Sequence, residues 1–175
     1  ERAHLPVADK IESQEICFIP NNNYREFLKD QIPDIDNKIG SGNFISTDGK
    51  ILGQHKGFPY YTVGQRKGLG IALGEPLFVV EIRSKSNEIV LGSYDKLLST
   101  KLAISNINLI KYSKISENQK VQLKIRYKAP AVDATLIPEN KSVNIIANEP
   151  LFAIAPGQSA VFYEKNDVVG GGIIL

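Results

Sequence analysis

The sequence contains no methionine and no tryptophan, one cysteine and two histidines. One thiol, Cys17, can neither close an internal disulfide nor build a four-cysteine zinc site, and no C-x-x-C redox motif exists. His4 and His55 are too few for a histidine metal cluster, and neither accompanies the nucleophile motif of a Ser-His-Asp triad. The acidic residues are scattered, with no metal-binding spacing. No apolar run approaches the ~20 residues that cross a bilayer. The start, Glu1-Arg2-Ala3-His4-Leu5-Pro6, lacks a basic-then-apolar leader. These gaps lead us to expect a reducing, cytoplasmic setting with no metal and no membrane partner. Methionine is missing even at position 1, so the chain is expected to be a processed product or a piece of something longer.

What is present is ordinary for a globular protein. The chain has 175 residues, 42% of them hydrophobic and 23% charged, enough for one full domain or two small ones without disulfide staples. Net charge is only +2, so any affinity for nucleic acid must come from local patches. Ile16, Phe18 and Ile19 around Cys17 suggest a short buried strand or packed loop. Asn21-Asn22-Asn23 can start a helix; Tyr24, Phe27, Leu28 and Ile32 share one of its faces, and Pro33 stops it. Beyond residue 39 the period becomes that of strands. Phe44 to Gly53 reads as a hairpin about Asp48-Gly49, and residues 77–82 and 88–92 as strands paired about Ser86-Asn87. Residues 93–100 mark a boundary. After it, strands are expected at 102–110, 120–128, 132–137, 142–147, 159–164 and 168–174, the spacing of a closed barrel or a sandwich.

Two basic features stand out. Gly64-Gln65-Arg66-Lys67-Gly68-Leu69-Gly70 is rich in glycine but matches neither nucleotide-binding spacing. Between residues 51 and 74, Lys56, Arg66 and Lys67 face no acidic residue and lie among Phe58, Tyr60 and Tyr61. Cations that neutralise phosphates beside rings that stack on unpaired bases suit RNA, although the rings suit a core equally well. In the second feature, Val121, Leu123, Ile125 and Tyr127 alternate with Gln122, Lys124, Arg126 and Lys128. A strand over 120–128 would be apolar on one face. Lys124, Arg126 and Lys128 would stand about 7 Å apart on the other, at a rise of ~3.3 Å per residue. That step is close to the phosphate spacing of an extended nucleic-acid strand. An ordinary half-exposed strand has the same pattern. Cys17, taken by itself, reads first as a small buried apolar residue, which Ile16 and Phe18 beside it favour.

Several stretches together resemble one family. They are Ser13-Gln14-Glu15-Ile16-Cys17-Phe18-Ile19, Asp48-Gly49 with Gly53-Gln54-His55-Lys56-Gly57, and Tyr61-Thr62-Val63 leading into the glycine-rich loop. Arg126-Tyr127, Ala155-Pro156-Gly157-Gln158-Ser159-Ala160-Val161-Phe162-Tyr163 and Gly170-Gly171-Gly172-Ile173-Ile174 complete the set. Their order and spacing are similar to those of the bacterial tRNA-specific 2-thiouridylases, which place sulfur on the wobble uridine of certain tRNAs. The resemblance covers nearly the whole chain.

The resemblance implies a mainly β fold: a linker with the catalytic cysteine (1–20), a small α+β central domain (21–97) and an antiparallel β-barrel like domain two of elongation factors (98–175). It implies that ATP with Mg is held by an N-terminal pyrophosphatase domain, whose Ser-Gly-Gly-x-Asp-Ser loop and catalytic cysteine are not in this sequence. On this view the chain alone is inactive and holds no cofactor. Cys17 matches the family's persulfide-carrying cysteine; Arg126, Tyr127 and Gln158 match positions that contact tRNA. Arg66, Lys67, Lys124 and Lys128 are further tRNA candidates. Arg126 lies on the basic strand face, where two arguments meet, whereas Tyr127 falls on the apolar face, where they conflict. The implied partners are wobble-uridine tRNAs, such as those for Glu, Gln and Lys, and a sulfur donor, either a cysteine desulfurase or a sulfur-relay protein. The alternative is a non-catalytic RNA-binding barrel of a translation-related protein, which would use the basic strand but have no need of Cys17.

Overall fold

The computed structural model describes residue 19 and residues 23–71, 74–127 and 129–175. Cys17, Lys128 and the 1–20 segment apart from Ile19 lie outside the described residues.

The first helix, α1 (Tyr24–Gln31), begins where the sequence indicates. The Asn23 side chain accepts a hydrogen bond from the Glu26 N–H at 3.2 Å and donates to the Glu26 carboxylate at 2.8 Å, a reciprocal cap. Its apolar face is only partly covered: Leu28 packs on the sheet core, while Tyr24 and Ile32 are 46% and 42% exposed. A second short helix follows Pro33, α2 (Ile35–Ile39), which the sequence reading did not anticipate. Ile35 is its buried anchor.

Strands β1 (Gly42–Ser46) and β2 (Ile51–His55) form the expected hairpin. So do β3 (Phe78–Arg83) and β4 (Glu88–Gly92). The two hairpins join through parallel pairing of β1 with β4, giving the order β2-β1-β4-β3. Asn87, in the turn between β3 and β4, ties this unit together. At φ 52° it holds a left-handed conformation that asparagine tolerates. Its amide donates to the carbonyls of Ile39, Gly40 and Ser41 at 3.0–3.3 Å, and its Oδ1 accepts from the Phe58 N–H at 3.2 Å. The core beneath holds Ile35, Phe44, Tyr60, Tyr61, Leu69, Val79, Ile89 and Leu91.

A 3-10 turn at Tyr94–Leu97 leads into the barrel. Its strands are β5 (Leu98–Leu109), β6 (Gln119–Lys124), β7 (Val132–Pro138), β8 (Val143–Phe152), β9 (Ser159–Glu164) and β10 (Asp167–Ile174). They close in the order β10-β5-β8-β7-β6-β9, with every pair antiparallel. Alternate residues point inward, and Ile104, Leu123, Leu136 and Phe162 are fully buried. The glycines of β10 allow closure: a Cβ on Gly171 would lie 2.5 Å from the Ala160 carbonyl, and one on Gly172 2.6 Å from that of Ser105. The expected fold class, an α+β unit followed by an antiparallel barrel, is the one observed.

Candidate nucleic-acid interface

Strand β6 is shorter than the alternation suggests. It ends at Lys124, and Ile125 continues the inward set at 4% exposure. The chain then bends and turns, with the Ala129 N–H bonded to the Arg126 carbonyl at 3.2 Å. Tyr127 is consequently 70% exposed and not part of the apolar face. The strand that would align Lys124 with Arg126 is therefore not formed through both, because the pleat stops at Lys124; the third member of the expected row, Lys128, lies outside the described residues.

The bend places these side chains differently. The Arg126 guanidinium leans over the Phe152 ring at 5.9 Å and donates from Nη2 to the Ala153 carbonyl at 2.7 Å. Lys124 sits 5.8 Å from the centre of the Tyr127 ring. Opposite them lies the turn Ala155–Gln158, in which Gly157 has φ +85° and the end of β10 pins the loop. The Gly157 N–H bonds to the Ile174 carbonyl at 2.9 Å, and the Ile174 N–H returns to the Gln158 carbonyl at 2.8 Å. A cleft of about 660 Å³ results, lined by Lys124, Arg126, Tyr127, Gln158, Val161 and Tyr163 among others. Among the described residues, no carboxylate lines it. The buried Oε1 of Gln158 receives no hydrogen bond from a described residue. Two cations and an exposed ring make this cleft suited to a phosphate with an adjoining base or sugar.

A larger cleft of about 690 Å³ on the barrel is less suited to an anion. Its Lys111, Lys120 and Lys165 are opposed by Asp133, Glu164 and Asp167. Lys111 pairs with Asp167 at 2.8 Å and Glu164 at 3.0 Å, which holds its ammonium well above the usual lysine range. Hydrogen bonds from the Tyr112 hydroxyl and Lys111 hold the Glu164 carboxyl below its ordinary value.

Arg66 and Lys67 project from the glycine-rich loop and are exposed. The loop's frame is internal: Gln65 accepts from the Thr62 N–H at 3.1 Å and donates to the Lys67 carbonyl at 2.9 Å, while Leu69 is buried. Gly64 has φ +89°, and its N–H is bonded to the Val79 carbonyl at 2.8 Å. A Cβ there would lie 2.8 Å from that of Ala153 and 3.4 Å from the Phe152 ring. Among the described residues no helix stands between this loop and β3, and the Gly64 N–H is already engaged, so the loop does not fit a nucleotide phosphate cradle.

Phe152 and Ala153 are the residues the sequence reading missed. Phe152 stacks on Tyr94 at 4.9 Å and meets Phe78 edge-on at 6.3 Å. Ala153 is buried at φ 52°, with its N–H on the Leu97 carbonyl at 2.8 Å. Arg126 touches this pair from the barrel, and Gly64 touches it from the sheet unit. No composition or spacing marks an alanine that adopts a left-handed conformation.

His55 is structural here. It is 3% exposed, packed edge-on against Phe44 and Tyr61, and its Nδ1 accepts from the Gly57 N–H at 3.0 Å. Burial holds its pKa below the ordinary value, outweighing the backbone of Asn87 and Asn43. Among the described residues, no group of three or more His, Cys, Asp or Glu side chains is arranged to hold a metal, and no helix is long and apolar enough to cross a membrane.

Two family models match the chain: the tRNA methyl transferase PRC-barrel domain over residues 25–93 and the aminomethyltransferase beta-barrel domain over residues 99–174. The chain is 46% identical over 172 residues to the tRNA-specific 2-thiouridylase MnmA of Carboxydothermus hydrogenoformans, across 98% of this chain and 46% of that protein. It is 48% identical over 171 residues to the namesake of Clostridium beijerinckii, across 97% of this chain and 47% of the relative. For that of Acetivibrio thermocellus the identity is 46% over 171 residues, again 97% of this chain and 47% of the relative.

The chain belongs to the tRNA-specific 2-thiouridylase family.

It spans about half the length of the family members it matches. Within the family match, the sheet unit with its glycine loop falls in the first segment, and Arg126, Tyr127 and Gln158 fall in the second.

Proposed function

We propose that this chain is the tRNA-gripping and sulfur-carrying part of an enzyme that converts the wobble uridine of tRNA to 2-thiouridine. The observation that carries the reading is the convergence of Lys124, Arg126, Tyr127 and Gln158 on one cleft that no carboxylate lines among the described residues. Arg126 supplies a guanidinium for phosphate. Tyr127 presents an exposed ring for a base or ribose, and Gln158 lies beside it on the wall of the same cleft. Arg66 and Lys67 extend the contact from the glycine loop.

Cys17 is assigned the chemistry of sulfur transfer. A donor, a cysteine desulfurase or a relay protein, leaves a terminal sulfur on its thiolate as a persulfide. That sulfur attacks uridine C2, from which an activated oxygen departs. A second thiolate, supplied by the longer protein, attacks the Cys17 sulfur; the S–S bond breaks, the new sulfur stays on C2, and the two cysteines are left as a disulfide. A persulfide is more acidic and more nucleophilic than its parent thiol, which suits it to this step. Activation of the oxygen by ATP with Mg is assigned to a part of the longer protein that this chain does not contain. The partners are then tRNAs with a wobble uridine, such as those for Glu, Gln and Lys, and the setting is cytoplasmic.

The test uses the full-length protein. Reversing Arg126 to Glu is expected to weaken tRNA binding by about 1–3 kcal/mol and to make its salt dependence shallower. Changing Cys17 to Ser is expected to abolish 2-thiouridine while leaving tRNA affinity nearly unchanged, and to remove the persulfide mass after incubation with a desulfurase and cysteine. Thiolation retained in the Ser variant would end the assignment of Cys17 as the sulfur carrier.

A further inference from the structure

We propose that a pocket between α1, α2 and the end of β2 is a second phosphodiester-binding subsite, on the sheet unit, so that the RNA is held by both parts of the molecule. The proposal rests on the tRNA-binding reading above. The pocket has a volume of about 370 Å³, and Arg25, Lys29, Asp36, Lys56 and Tyr60 line it.

Charge accounting within the pocket leaves an excess of cations. Its one carboxylate is fully engaged. Lys29 Nζ lies 2.6 Å from one oxygen of Asp36, and the Tyr60 hydroxyl donates to the other at 2.6 Å. Those two contacts, Lys29 first, hold the Asp36 carboxyl below its ordinary value, and the Tyr60 hydroxyl is pushed up to about 12 by the same carboxylate. Asp36 therefore stays ionised and Tyr60 stays protonated at neutral pH. Lys29 is neutralised, but Arg25 and Lys56 form no ion pair with any described residue. The pocket thus presents two uncompensated cations, contributed by separate elements.

Arg25 is also positioned. Its guanidinium carbon lies 5.8 Å from the Tyr60 ring centre and 6.0 Å from that of Tyr61, and both rings are buried in the core of the sheet unit. A guanidinium held over tyrosine faces loses little rotamer freedom on binding and keeps its N–H edges for a ligand. The fork geometry of those donors matches a phosphate, and Lys56 supplies a second positive charge within the same pocket. An RNA backbone phosphate is the anion this arrangement suits: its charge is permanent, and its recognition needs no base reading.

The full-length protein is titrated with tRNA at several salt concentrations. Arg25→Glu and Lys56→Glu are each expected to weaken binding by about five- to tenfold and to lower the magnitude of the salt slope by about one. Arg25→Lys, which keeps the charge but loses the fork, should fall between wild type and Arg25→Glu. Combined with Arg126→Glu, the losses should add, because the two sites sit on separate units. If the wild type binds tRNA and Arg126→Glu weakens it, while Arg25→Glu and Lys56→Glu change neither affinity nor slope, the second subsite is refuted and the parent reading stands. If the full-length wild type does not bind tRNA, the parent reading fails. If the two variants leave tRNA affinity intact and instead slow sulfur loading of Cys17 by its donor, the pocket docks an acidic protein surface and the subsite is likewise refuted. Lys56 is exposed, so its variant folds normally and keeps the test decisive should Arg25→Glu lose structure.

Discussion

The barrel and the sheet unit solve the same problem, covering a β core, by different means. The barrel closes on itself, so its six strands have no free edge, and its described core residues are apolar. The sheet unit stays open at β2 and β3 and fills its core with tyrosines, a histidine and polar stitches from Asn87. The lesson is one of tolerance. The barrel depends on volume and close backbone approach, whereas the sheet unit depends on a few hydrogen bonds made by single side chains. Basic residues then sit where each architecture leaves a bend: past the end of β6 in one and past the end of β2 in the other.

The largest expected difference comes from removing bulk. Phe162→Ala empties the centre of the barrel and should cost about 3–5 kcal/mol, read from denaturant melts of the chain. A loss below 1 kcal/mol would mean that the barrel interior is not close-packed. Asn87→Ala should cost about 1–3 kcal/mol, because it strands backbone carbonyls at residues 39–41 and the Phe58 N–H. Hydrogen exchange should accelerate in the sheet unit and not in the barrel; equal acceleration in both would erase the contrast drawn above.

Gly64→Ala probes the joint between the two. Its left-handed φ alone costs roughly 1–2 kcal/mol for a side chain, and the added Cβ meets Ala153 at 2.8 Å. The two units should then melt as separate transitions. One coincident transition of unchanged midpoint would show that the Phe152–Ala153 contact does not couple them. The smallest effect is that of pH. His55 has a folded pKa below its ordinary value, so the folded state disfavours the imidazolium. Its contribution is fully present above the ordinary value near 6.5 and is lost as pH falls below it, because only the unfolded chain takes up the proton freely. Stability of the sheet unit should decline over that range, and His55→Asn should flatten the decline. A slope that persists unchanged in the variant would assign it to another group.

Much of the fold was legible because its signals are local. The hairpin about Asp48-Gly49, the capped helix after Asn23 and the spaced strands from residue 98 each rest on neighbours in sequence. The site was legible only in part. Arg126, Tyr127 and Gln158 were singled out by motif, but the strand meant to align Arg126 with Lys124 ends first. The alternation of Val121, Leu123 and Ile125 is genuine, and nothing in Arg126-Tyr127 announces that the chain turns there. Arg25 escaped notice because its pocket joins α1 to the end of β2, elements far apart in sequence.

Sequence alone determined what short-range chemistry controls: the turns, the helix start and the inward alternation of the barrel strands. Tertiary structure decided the rest. The parallel pairing of β1 with β4, the meeting of Gly64 and Arg126 on Phe152–Ala153, and the convergence of Lys124 and Gln158 on one cleft all depend on segments brought together from a distance. Such contacts follow from burial and closure of the whole chain, and no residue's own neighbours encode them.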